Sequence, residues 1–133
     1  MITQTDKAYL EQARLEALDG LAEGGYPVGA VLVDGNQAIA TGRNRSNQTG
    51  DMTAHAEIDC LRNAGAAVER EGLTLYTTMS PCEMCSGAVI RFGITRVVIG
   101  DAVSFAGDPD HLRRHGVEVE VVNDPDCMAL MEG

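Results

Sequence analysis

Tryptophan is absent from the 133 residues and aromatic residues make up only 4%, yet hydrophobic residues reach 44%. That share is too high for a disordered or fibrous chain. Basic charge is scarce: Lys and Arg number 10 against 20 Asp and Glu, for a formal net charge of −10. The acidic residues are spread along the chain rather than gathered in a tail. A phosphate backbone needs clustered Lys and Arg, so a nucleic-acid partner is not expected, nor is an anionic membrane surface. The opening stretch Met1-Ile2-Thr3-Gln4-Thr5-Asp6-Lys7 lacks the apolar core of a signal peptide, and no apolar run approaches membrane-spanning length. A cytoplasmic location is the expectation, in which the four cysteines would be thiols, metal ligands or catalytic groups rather than a disulfide framework. There is no linker, internal repeat or low-complexity segment, and the length fits one domain over residues 1–133.

The patterning that is present alternates between helical and extended segments. Asp6 to Glu23 reads as a helix with Leu10, Ala13, Ala17, Leu18 and Leu21 as its apolar stripe, stopped by Gly24-Gly25. Val28 to Val33 reads as a strand, Asp34-Gly35 as a hairpin, and Ala38 to Gly42 as the returning strand. Asn44 to Asp51 reads as a polar loop, and Ala54 to Ala64 as a second helix with Gly65 at its C-cap. Leu73 to Thr77 and Arg96 to Gly100 are further strands, separated by a helix from about Cys82 to Phe92. Asp108-Pro109 and Asp124-Pro125 each open a short terminal helix, with a strand, Val117 to Val122, between them. Strands separated by helices imply crossovers. The expected class is a three-layer α/β/α fold, a mixed five-stranded sheet with helices on both faces.

Two clusters carry chemistry, and each opens a helix: Thr53-Ala54-His55-Ala56-Glu57 and Ser80-Pro81-Cys82-Glu83-Met84-Cys85. Two cysteines three apart at a helix start can aim both sulfurs at one point, where the helix N-terminus favours thiolate. By itself this pair fits either a zinc site or a redox dithiol. His55 and Glu57 would diverge by about 200° on a regular helix. They serve one site only if the pair sits where the chain is still turning into the helix. His55 then supplies a third metal ligand beside Cys82 and Cys85, and Glu57 a proton shuttle. Three protein ligands with one open position mark a catalytic zinc rather than a structural one. Cys60 and Cys127 have no partner at ligand spacing and read as small buried hydrophobes.

The combination H-x-E and P-C-x-x-C is the signature of zinc deaminases. At these residues the chain resembles the cytidine and deoxycytidylate deaminase superfamily, from about Gly24 to Met131, and within it most resembles fungal-type cytosine deaminases. Gly24-Gly25-Tyr26-Pro27-Val28-Gly29, His55-Ala56-Glu57 and the run from Leu75 to Ala88 carry the likeness. Val98-Ile99-Gly100, Ser104-Phe105 and Gly116-Val117-Glu118-Val119 resemble that group more than the tRNA adenosine deaminases.

The resemblance implies a Zn2+ cofactor, a homodimer and hydrolytic release of ammonia from a small nucleobase, most simply cytosine or a related aminopyrimidine or aminotriazine. Glu57 would act as base and then acid. It also implies that Asn44 binds the polar edge of the base, that Phe105 packs on its ring, and that Val28, Met79 and Ala56 border the pocket. Fungal-type cytosine deaminases continue into a C-terminal segment that covers the site with an aromatic and an acidic residue. No counterpart precedes Gly133, so a more open pocket is expected, with Asp108, Asp110 or a partner subunit as candidates for the acidic contact. The alternatives are a guanine or other purine deaminase, a tRNA adenosine deaminase (for which Arg43 and Arg45 beside Asn44 are the only local basic residues), a thiol–disulfide oxidoreductase using Cys82 and Cys85, and a binding module with a structural zinc.

Overall fold

The computed structural model describes residues 1–132. A capping box opens α1 (Gln4–Ala22): the Asp6 N–H donates to Thr3 Oγ1 and the Thr3 N–H to Asp6 Oδ2, both at 3.0 Å. The chain continues through β1 (Gly29–Asp34), β2 (Gln37–Arg43), the short α2 (Ser46–Thr49) and α3 (Ala56–Ala64), followed by a 3-10 turn over Gly65–Glu69. It then passes through β3 (Leu73–Thr77), α4 (Glu83–Arg91), β4 (Arg96–Ile99), α5 (Pro109–Arg114), β5 (Glu118–Val121) and α6 (Pro125–Ala129). Asp108 and Asp124 cap α5 and α6 through the N–H groups of His111 and Cys127, each with proline in the first turn, as the sequence predicts.

The sheet order is β2-β1-β3-β4-β5, with β1 antiparallel to both β2 and β3, and β3, β4 and β5 parallel. The expected mixed five-stranded sheet is thus present. Its two faces follow from strand alternation. Ala30 and Leu32 of β1 join Leu73, Leu75, Val97 and Ile99 in a core closed by Ala56, Cys60 and Leu61 of α3, Val89 of α4 and Leu112 of α5. Val31 and Val33 face the other way with Tyr76 and Val98, against Ala13 of α1.

The structure corrects three expectations. The buried stripe of α1 is Leu10, Ala13, Ala17 and Gly20, whereas Leu18 and Leu21 are exposed. Leu18 lies about 100° around the helix from Ala17, off the face that meets the sheet, and Leu21 sits in the last turn, just before the chain leaves the helix. Contact along the buried stripe is backbone-close: a Cβ on Gly29 would come within 2.7 Å of the Ala17 nitrogen. The stretch from Asn44 to Asp51 is not all loop, because Ser46–Thr49 forms the single turn α2, too short to show periodicity. The helix expected from Ala54 starts at Ala56, with His55 as its extended cap. Among the described residues no helix is long and apolar enough to cross a membrane.

Candidate active site

The antiparallel placement of β1 puts its start beside the ends of β2 and β3, and four connections meet there. The Asn44 N–H, just past β2, donates to the Val28 carbonyl at 3.0 Å. Past β3, the Thr78 N–H donates to the Gly29 carbonyl at 3.0 Å, and the Gly29 N–H returns a bond to Thr78 Oγ1 at 3.1 Å. Ser80 ties this loop to the one after β4, its N–H donating to the Asp101 carbonyl at 2.8 Å and its hydroxyl to the Ala106 carbonyl at 2.9 Å. Phe105 is thereby carried to the same end of the sheet.

His55 and Cys82 are the cap residues of α3 and α4, both extended, and neither spends its side chain on capping. The extended backbone at His55 removes the divergence that a regular helix would impose on His55 and Glu57. His55 Nδ1 lies 3.6 Å from the Sγ atoms of both Cys82 and Cys85. A tetrahedral zinc with ordinary Zn–N and Zn–S lengths sets an N···S edge of about 3.6 Å. The three donor atoms lie within 4.8 Å of one another, so one nitrogen and two sulfurs fit a zinc ion at this point. Burial pushes the Cys85 thiol well above its ordinary range. A cation at the centre of the three donors is the charge that holds such a sulfur as thiolate.

Glu57, in the first turn of α3, is 4% exposed. Burial pushes its carboxyl up to about 7, against bonds from its own backbone N–H and from Cys85 that pull the other way. A carboxyl in this range can take and return a proton near neutrality.

These groups open on a cavity of about 220 Å3 lined by Val28, Asn44, His55, Ala56, Glu57, Met79, Cys82 and Phe105, which gathers the residues singled out in the sequence apart from Cys85, buried beneath them. Asn44 is buried, and its Oδ1 accepts the Ser46 N–H at 3.0 Å and the Ser46 hydroxyl at 2.8 Å. A backbone N–H can only donate, so this bond fixes the amide orientation and leaves the Nδ2 hydrogens as the donor available to a ligand. Tyr26, Ser80 and Met131 also line the cavity. Tyr26 was visible only as part of the Gly-Gly-Tyr-Pro run. Met131 lies over a hundred residues from Val28, at a place no local pattern marks. The wall it supplies is apolar. Asp108 and Asp110, considered for the acidic contact, are not among the lining residues; Asp108 caps α5 instead.

Arg43 and Arg45 flank Asn44 but are not free. Arg43 pairs with Glu16 at 2.9 Å and Glu23 at 2.8 Å, and Arg45 with Asp59 at 3.0 Å.

Residues 3–101 match the family described as the cytidine and deoxycytidylate deaminase zinc-binding region. A cytosine deaminase from Candida albicans is 37% identical over 133 residues, which cover 98% of this chain and 89% of that protein. A tRNA-specific adenosine deaminase from Buchnera aphidicola is 43% identical over 99 residues, 72% of this chain and 61% of its own length. The solved guanine deaminase of Nitrosomonas europaea superposes with a TM-score of 0.79 at 25% identity, covering 99% of this chain and 85% of that one. The matched region holds both His55-Ala56-Glu57 and Cys82-Glu83-Met84-Cys85, and the chain belongs to the zinc-binding cytidine and deoxycytidylate deaminase family.

Proposed function

We propose that this deaminase acts on a free nucleobase, cytosine or a related aminopyrimidine or aminotriazine, converting it with water to the keto base and ammonia. The observation that carries the reading is the ion pairing of Arg43 and Arg45. Both arginines beside the base-facing Asn44 are matched by carboxylates, Arg43 by Glu16 and Glu23 and Arg45 by Asp59, on a chain of net charge −10. Arginines matched in this way give an RNA backbone little to hold. In sequence, the likeness to the Candida albicans cytosine deaminase also runs through nearly the whole chain, whereas that to the Buchnera aphidicola tRNA-specific adenosine deaminase covers 72% of it.

In this reading His55, Cys82 and Cys85 hold the metal. Zinc, when bound, supplies the Lewis acidity that makes water a competent nucleophile near neutral pH. Glu57 would take a proton from the attacking water and pass it to a ring nitrogen, then take a second proton from the hydroxyl that the attack leaves on the ring carbon and deliver it to the departing amine, so that one carboxyl serves as base and acid. Asn44 Nδ2 donates to the polar edge of the base. Val28, Ala56, Met79 and Phe105 clamp the ring and exclude water.

The test is ammonia release from cytosine, 5-methylcytosine, isocytosine, aminotriazines, guanine, adenine and cytidine, with adenosine deamination in tRNA measured alongside and Glu57→Ala as control. Turnover of a pyrimidine-type or triazine base that is lost in the control supports the proposal. Turnover confined to guanine or to tRNA replaces it with that substrate. A metal-free protein with a titratable Cys82–Cys85 disulfide overturns it in favour of redox chemistry.

A further inference from the structure

Asp59 has no part in the chemistry proposed above, yet it is one of the most completely engaged side chains in the molecule. It lies on α3, one turn after His55, and its own N–H donates to the His55 carbonyl at 2.8 Å. Its side chain is 5% exposed. A buried carboxylate needs partners for its lone pairs. Asp59 finds them on the segment leaving β2: Oδ2 accepts the Arg43 N–H at 3.0 Å, and Arg45 Nε donates to Oδ1 at 3.1 Å and Oδ2 at 3.0 Å. The two residues it grips are those on either side of Asn44. Arg62, farther along the helix, adds a second positive charge at 3.8 Å, beside that of Arg45.

The contact depends on an unusually close approach of α3 to β2. A Cβ on Gly42 would come within 2.6 Å of the Ala56 carbonyl oxygen and 2.7 Å of Cys60 Cα. The absence of a side chain at Gly42 lets the helix lie against the strand, and Asp59 uses that proximity to reach the next backbone N–H along. Asn44 is thereby referenced to two bodies. Its own N–H bonds the Val28 carbonyl of the sheet at 3.0 Å, while its neighbours bond the helix that begins at the His55–Glu57 pair.

We propose that Asp59 is a positioning residue that registers Asn44 against the helix carrying His55 and Glu57, and so sets how a bound base is presented to them. The inference rests on the reading of Asn44 as the base-binding side chain. It separates two functions of one short helix: the N-terminal end holds metal and moves protons, and the following turn aligns the substrate clamp. Orientation of a bound reactant is worth a large share of catalysis, and a small misplacement is felt in the reaction. Because Asn44 contacts the base in the ground state as well as the transition state, misplacing it appears chiefly in KM.

The experiment is a double-mutant cycle in the zinc-loaded protein. Asp59→Ala, Asn44→Ala and the pair are compared with wild type for kcat and KM on the best substrate of the panel, with zinc content and melting temperature measured on each. We expect Asp59→Ala to raise KM about tenfold with kcat changed less than about threefold. In the Asn44→Ala background the same substitution should change KM less than about twofold, although its effect on melting temperature persists. Asp59→Asn keeps an acceptor for the Arg43 N–H and should recover most of the lost KM. Arg45→Ala removes one of the two grips and is read the same way should Asp59→Ala fail to fold. A full multiplicative KM effect in the Asn44→Ala background, or a loss of stability with KM unchanged, would overturn the proposal and leave Asp59 a structural residue. An Asn44→Ala variant with wild-type KM would instead overturn the base-binding reading of Asn44, and this inference with it.

Discussion

Arg96 forks onto Asp6 through bonds of 2.8 and 2.9 Å, tying β4 to the first turn of α1, and the Tyr76 hydroxyl adds a third bond to Asp6 at 2.6 Å. The carboxylate is 5% exposed and the guanidinium 20%. The Arg96 guanidinium holds the Asp6 carboxyl well below the usual carboxylate range, against burial, which acts in the opposite direction. A carboxyl whose pKa is lower in the folded state contributes stability above its unfolded pKa and loses it as the pH falls through the folded one. Asp6→Asn should therefore cost about 3 kcal/mol at neutral pH, the lower end for breaking a buried pair, since Arg96 keeps Glu118 as a partner. The gap from wild type should narrow as the pH drops below about 4. Urea unfolding of both proteins between neutrality and strong acid measures it, and a gap that stays constant would assign the loss to packing instead of charge.

Removing the metal should act on stability as well as on turnover. The proposed ligands His55 and Cys82 are the caps of two helices, so an ion held between them would join the starts of α3 and α4. Chelation should lower unfolding free energy by about 3–4 kcal/mol, the linkage expected at a hundred- to thousandfold zinc excess over Kd. His55→Ala should show substoichiometric zinc and no further drop on chelation. Melting curves with chelator and with zinc restored would decide this. A wild-type response in His55→Ala would mean that the ion sits elsewhere.

Glu57 should show the opposite signs for stability and activity. It is a carboxyl buried at the cavity wall, and burial opposes its charged form. Glu57→Gln keeps the shape and removes the ionisable group. The variant should retain zinc, melt at or above wild type when both are compared after chelation, and lose about 10²–10⁴ in kcat, the range for a missing general acid–base group. A variant that loses zinc along with activity would point to a ligand-supporting role rather than proton transfer.

The features legible in the sequence were those written in short runs. His55-Ala56-Glu57 and Cys82-Glu83-Met84-Cys85 announced a metal site because helix starts converge their own nearby residues, and Asp-Pro marked both terminal helices because cap chemistry is local. Features that depend on distant segments left no such mark. The Asp59–Arg45 pair joins residues 14 apart in the chain, on two different elements, and looks like ordinary surface charge until β2 and α3 are laid side by side. Met131 comes to the cavity only through the path of the whole C-terminal segment. The exposure of Leu18 reflects which face of α1 the sheet selects, and a helix with apolar residues on more than one face does not state that choice.

Gly42 and Gly87 offer a paired test of how closely the site is built onto the sheet. Both are glycines in regular elements, where alanine would ordinarily be the more stable choice. At Gly87 in α4 an added Cβ meets nothing within 4 Å, so Gly87→Ala should stabilise by about 0.5–1 kcal/mol through helix propensity and reduced unfolded-state freedom. At Gly42 the same methyl would press on the Ala56 carbonyl and the Cys60 backbone, and backbone cannot rotate aside as a side chain does. Gly42→Ala should push α3 from β2, cost about 1–3 kcal/mol as an overpacked contact, and shift His55 and Glu57 with the helix. The loss should therefore appear in zinc retention and kcat as well as in the unfolding midpoint, whereas Gly87→Ala leaves both near wild type. Equal and small effects from the two substitutions would show that α3 tolerates displacement, and that the close approach at Gly42 is not what sets the geometry of the site.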